Sequence, residues 1–78
     1  MARIYISLKK GVADPQGQTI KQALNDIGFS EVREIRVGKF FDVVLTEPIN
    51  EPHKILEKIS SEVLANPIIE EFSIEGIK

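Results

Sequence analysis

A chain of 78 residues without a single cysteine has to hold itself together by packing alone. Disulfides, thiolate nucleophiles and zinc knuckles are excluded at once. A domain this short removes only about 60% of its unfolded surface from water, so its core is thin. Small scaffolds without disulfides or metal often gain stability by oligomerising, which makes a homo-oligomer the first expectation. Apolar residues are 42% of the sequence, ordinary for a globular fold. They suffice for a single domain over residues 1–78.

Charge narrows the partners. Ten basic residues stand against twelve acidic ones, with a pI near 5.3. A domain that grips nucleic acid through phosphates shows a basic surplus, and this one does not, so no nucleic acid is expected. No apolar run approaches the roughly 20 residues needed to span a bilayer. Met1-Ala2-Arg3 runs directly into a strand-like pattern with no hydrophobic signal segment, and a cytoplasmic location follows as the expectation.

Periodicity sets out the elements. Ile4, Ile6 and Leu8 alternate along residues 3–8 as a first strand, ended by Lys9-Lys10-Gly11. Asp14-Pro15 marks a helix start, with Asp14 as N-cap and Pro15 in the first helical position. Ile20, Ala23, Leu24 and Ile27 then form one apolar stripe, and Gly28 stands where a left-handed cap belongs. Residues 31–45 are rich in Val, Ile and Phe around Gly38-Lys39. Two short antiparallel strands joined there are the natural reading, and one long bent strand is the alternative. The parity shift between Val32 and Ile35 predicts a bulge. Residues 47–52, with Glu47-Pro48 and Pro52, are turn material, and Asn50 is the N-cap candidate of a second helix. Its apolar face is Ile55, Leu56, Ile59 and Val63, and Asn66-Pro67 stops it. Residues 68–75 read as the last strand, with Ile68, Phe72 and Ile74 on one parity. The order β-α-β-β-α-β predicts an α+β fold of ferredoxin-like order, with two helices on one face of an antiparallel sheet.

The other face of that sheet carries the first functional signal. If Phe41, Val43 and Leu45 point to the helices, Phe40 and Val44 point away, with Tyr5 and Ile69 on the same outward parity. A solvated sheet face is normally polar, and an apolar patch there marks a protein contact. Tyr5, Phe40, Val44 and Ile69 are therefore the expected dimer interface.

The catalytic inventory is short. His53 is the sole histidine and has no second ligand or acid–base partner at motif spacing, so it reads as a surface helix residue. Glu70, Glu71 and Glu75 fall on or near a terminal strand, where charge protects an edge from pairing with other chains. No metal site is expected. Lys9-Lys10-Gly11 and Arg36-Val37-Gly38-Lys39 have the form of a weak anion nest, with solvated turn charges the favoured reading. Phe40 could stack a base as in RNA-recognition domains, but Tyr5 is the lone second platform and the acidic balance opposes it. Gly17 is the position hardest to explain by fold alone. A glycine in a first helical turn costs up to about 1 kcal/mol against alanine, which suggests a close approach to the backbone.

Taken together, several segments resemble one family. These are Leu8-Lys9-Lys10-Gly11-Val12 leading to Asp14-Pro15-Gln16-Gly17, Ala23-Leu24 with Gly28-Phe29, Val32 with Arg36-Val37-Gly38-Lys39, and Leu64-Ala65-Asn66-Pro67-Ile68-Ile69-Glu70. In this order and spacing they look like the PurS-type small subunit of phosphoribosylformylglycinamidine synthase, over residues 3–75. The resemblance implies a non-catalytic assembly subunit in purine biosynthesis. The enzyme aminates formylglycinamide ribonucleotide with ATP and ammonia from glutamine. Its glutaminase and synthetase subunits would be the partners, alongside self-association as a homodimer or tetramer. ATP and Mg would be used by the complex, with no cofactor bound by this chain. On the motif positions, Lys9, Lys10, Gln16, Arg36 and Lys39 are expected to face partners. Asp14, Pro15, Gly17, Gly38, Asn66 and Pro67 are expected to shape turns. The competing reading is a small-molecule-sensing regulatory domain of the same element order, with a ligand near Lys10-Gly11.

Overall fold

The computed structural model describes residues 1–46 and 50–76. Its elements run β1 (Ala2–Leu8), α1 (Pro15–Asp26), β2 (Gly38–Val43), α2 (Pro52–Ile59), one π-helical turn (Ser60–Leu64) and β3 (Glu70–Glu75). The sheet is antiparallel with order β2-β1-β3, so β1 is the central strand. Its register sets Ile4 between Phe41 and Ile74, and Ile6 between Lys39 and Phe72. Strand alternation then does what the sequence promised. Ala2, Ile4 and Ile6 are buried while Tyr5 and Ser7 are exposed.

α2 covers the inner face. Leu56 and Ala65 join Ala2, Ile4 and Ile6 in the core, and Phe41, Val43, Leu45, Leu64, Phe72 and Ile74 pack around them. The N-cap of α2 is Glu51, in the left-handed region at φ 55°, rather than Asn50, and it makes no side-chain cap. The turn expected at Glu47-Pro48 lies outside the described residues. Past Ile59 the helix widens into a π turn, closed by the Ala65 N–H donating to the Ser60 carbonyl at 2.8 Å. Ser60 is fully buried there, and its hydroxyl donates to the Leu56 carbonyl at 2.7 Å. The extra residue per turn rotates the helix surface, so Val63, expected on the apolar face, is 76% exposed.

β3 begins at Glu70, two positions after the Ile68 expected to open it. Residues 66–70 instead close a turn. The Ile68 N–H donates to Asn66 Oδ1, and the Asn66 N–H donates to Glu70 Oε1 at 2.7 Å. Ile68 is consequently exposed, and Ile69 sits in the turn rather than on an outward strand parity.

The larger departure lies in residues 31–45. Only β2 pairs, and residues 32–37 run without a ladder, so neither a hairpin at Gly38-Lys39 nor a bulge forms. Gly38 and Lys39 open β2 instead. The reason is a competing partner for the backbone. The Val37 N–H donates to the Asp14 carboxylate at 2.7 Å, and the Arg36 guanidinium donates to the Val12 and Lys9 carbonyls. Gly17 packs so closely on this run that a Cβ there would overlap the Ile35 carbonyl oxygen. That is the close approach its place in the first turn implied.

α1 starts as read, with Asp14 accepting from the Gly17 N–H at 2.9 Å and Pro15 opening the helix. Gly28 follows it at φ +108°, a conformation open to glycine and strained for other residues. Yet Gly17 is the sole buried residue of α1. The chain is correspondingly long and thin, 52 × 24 × 14 Å, with a radius of gyration of 16.2 Å. A compact domain of this length has a radius of about 11–12 Å.

Two substitutions check this description by urea unfolding at fixed protein concentration. Leu56→Ala empties a fully buried site and should cost about 3 kcal/mol. Gly17→Ala forces backbone apart at the Ile35 contact and should cost about 2 kcal/mol. An unchanged midpoint for Gly17→Ala would contradict that contact.

Candidate interaction surfaces

The loop residues of the sequence motifs gather around the start of α1. Asp14 is 5% exposed and uses both carboxylate oxygens, one for Gly17 and one for Val37. These donors, Val37 first and Gly17 second, hold its pKa below the usual carboxylate value. Two of the five residues expected to face partners are occupied within the chain. Arg36 is tied to the Val12 carbonyl at 2.9 Å and the Lys9 carbonyl at 3.3 Å. Lys9 Nζ donates to the Pro67 carbonyl at 2.6 Å, joining the β1 exit to the turn before β3. Lys10, Gln16 and Lys39 remain exposed. Lys39 sits opposite Ile6 on the inner parity of β2, with its ammonium 5.8 Å from the Phe41 ring centroid.

The outer sheet face carries a compact tile. Tyr5 and Phe40 are cross-strand partners with ring centroids 5.9 Å apart. Their neighbours Arg3 and Asp42 are also opposite one another and form a two-pronged ion pair at 2.8 and 3.2 Å. The guanidinium lies 4.1 Å from the Phe40 ring centroid, so one cation serves a carboxylate and an aromatic face. The Asp42 carboxyl is held below its ordinary pKa by that hydrogen-bonded guanidinium. Tyr5, Phe40 and Val44 are exposed on this face, as their parity implied. Glu71, Ser73 and Glu75 of β3 lie alongside, opposite Ser7, Tyr5 and Arg3. The Arg3–Asp42 pair escaped sequence reasoning because cross-strand charges identify each other only once the register is known.

A second apolar surface was misassigned from sequence. The α1 stripe looked like core, but Ile20 is 39% and Ile27 72% exposed, with Leu24 half-buried. Phe29, just past the helix, is 50% exposed. Amphipathic periodicity says that a face needs covering. It does not say whether the cover comes from the same chain.

Groups for chemistry are scattered. His53 is exposed in the first turn of α2. Among the described residues no group of three or more His, Asp or Glu is placed to hold a metal ion. A shallow hollow of about 300 Å³ between the π turn and β3 is lined by Lys9, Ser61, Ala65, Pro67, Glu70 and Phe72, among others. Its cation is spent on Pro67, and the Glu70 carboxylate on Asn66. No described helix is long and apolar enough to cross a membrane.

The sequence model of the family described as PurS, phosphoribosylformylglycinamidine (FGAM) synthase, matches residues 1–78. The phosphoribosylformylglycinamidine synthase subunit PurS of Methanocaldococcus jannaschii is 39% identical over 75 residues, covering 95% of this chain and 90% of that one. A crystal structure of Bacillus subtilis PurS superposes with a TM-score of 0.87 at 30% identity, over 95% of this chain and 92% of that one. A chain in the structure of PurLQS from Thermotoga maritima superposes with a TM-score of 0.80 at 27% identity, over 97% and 95%. With the family model matching residues 1–78 and both sequence and fold alike over nearly the whole length, the chain belongs to the PurS family of FGAM synthase subunits.

Proposed function

We propose that this chain is the non-catalytic assembly subunit of FGAM synthase, a homo-oligomer that brings the glutaminase and synthetase chains together. The observation that carries the proposal is the largely exposed stripe of α1, on a helix whose one fully buried residue is Gly17 and whose Leu24 is half-buried. Burying a side chain such as Ile or Leu is worth about 1.5–3 kcal/mol. Leaving the stripe in water forfeits that gain in a domain with a thin core and no covalent reinforcement. A second copy is the natural cover, because a two-fold contact buries the same stripe on both copies at once. The Arg3–Tyr5–Phe40 tile, with Val44, offers a second self-complementary face, which turns a dimer into a tetramer. Ile69, in the turn before β3, borders rather than forms that face.

The likeness to a chain of T. maritima PurLQS supports further subunits as partners. Lys10, Gln16 and Lys39 are the motif side chains still free to meet them, whereas Lys9 and Arg36 hold loops. ATP and Mg are handled by the larger subunits in this scheme, and the complex works in the cytoplasm. Binding of a free amino acid by the isolated chain would instead favour a regulatory domain.

Sedimentation at micromolar concentration should give dimers or larger species, and Ile27→Asp should weaken self-association at least about a hundredfold. A wild-type chain that sediments as monomer overturns the homo-oligomer. For the partner surface, Lys10→Ala and Lys39→Ala should each reduce recovery of co-expressed synthetase. Their unfolding free energies should stay within about 0.5 kcal/mol of the parent. Undiminished recovery from both variants counts against that surface.

A further inference from the structure

The structure assigns Asp14 a role beyond capping: it is the positioning residue that sets α1 at the angle required for assembly. The inference rests on the reading that a second copy covers the α1 stripe. Its ground is the way α1 is attached. A surface helix usually takes its orientation from the apolar face it lays on a sheet. Here Ile20 and Ile27 of that face are exposed and Leu24 is half-buried, and hydrogen-bonded contacts at the N-terminal end of the helix tie it to the rest of the chain.

Three contacts make up that attachment. One Asp14 oxygen accepts from Gly17, inside the helix, at 2.9 Å, and the other accepts from Val37, 23 residues along the chain, at 2.7 Å. The Gly17 backbone rests on the Ile35 carbonyl. Arg36 draws the β1–α1 loop onto the same run through the Val12 and Lys9 carbonyls. Val37 leads directly into Gly38, the first residue of β2. The carboxylate is thus a rigid link, one oxygen on the helix and one on the sheet entrance, and it is 95% shielded from water. Small rotations at this end swing the far end of the 12-residue helix by several ångströms, because the helix is about 18 Å long. Ile27 and Phe29, at that far end, are the most displaced by such a rotation.

Asp14→Asn separates this role from capping. Asn is as good an N-cap as Asp, so the Gly17 bond survives through its one carbonyl oxygen. Its amide then presents donors to the Val37 N–H, and the link to the sheet is lost. Amide hydrogen exchange and sedimentation are measured on the full chain. The expected result is retained protection through α1, lost protection at Val37, and self-association weakened at least about tenfold. An oligomer as tight as the parent overturns the positioning role. Weakened association with protection lost throughout α1 also overturns it, since the effect then belongs to the cap. A parent chain that is itself monomeric overturns the assembly reading instead, while loss of Val37 protection would still report the link.

Discussion

One carboxylate decides how this chain divides itself. Asp14 is nearly buried, and a buried carboxylate persists only when its oxygens are met by donors. Its donors come from two places, the first turn of α1 and the run before β2. By claiming the Val37 N–H it removes that group from any strand pairing, and residues 32–37 follow α1 instead of the sheet. Gly17 makes the arrangement possible, because any side chain there would strike the Ile35 carbonyl. The Asp-Pro-Gln-Gly motif is thus a cap, a latch and a contact point within four positions.

The consequence is a chain in two parts with unequal means of stability. The sheet and α2 share a small apolar core around Ile4, Ile6 and Leu56. α1 and the run it holds have polar latches and only half-buried apolar side chains, among them Leu24, Val32 and Ile35, and the chain is long and thin. Hydrogen bonds contribute modestly to stability compared with apolar burial, and their value here is directional. They fix where the stripe is presented without covering it. The exposed stripe is what the proposed association would cover, which suits a subunit whose work is assembly.

How much of this was legible in the sequence depends on the range of the interaction. Local signals translated directly: Asp14-Pro15 opened α1, Gly28 took its positive φ, and alternation along β1 sorted Ile4 and Ile6 from Tyr5. The outward position of Phe40 and Val44 followed from parity alone. What failed depended on partners distant in sequence. Val32, Ile35 and Val37 have high strand propensity, but propensity does not register a carboxylate waiting 23 residues away from Val37. Val63 left its expected face because a single π turn changed the helical phase. The α1 stripe formed on the helix as its spacing predicts, but Ile20 and Ile27 stay exposed within the chain instead of packing on the sheet.

The same distinction gives two of the basic residues a role within the chain. A cation in a loop motif invites a functional reading, because lysine and arginine are the usual contacts to partners and anions. Loop backbone also carries carbonyls that regular structure leaves unpaired, and a guanidinium can satisfy two of them at once. Arg36 does this for Lys9 and Val12, and the Lys9 ammonium does it for Pro67. These contacts tie the β1 exit to both the run before β2 and the turn before β3. A loop motif can therefore hold residues of two kinds side by side. In Lys9-Lys10, the first closes the fold and the second stands free in solvent. Sequence spacing treats the two alike; the carbonyl at 2.6 Å separates them.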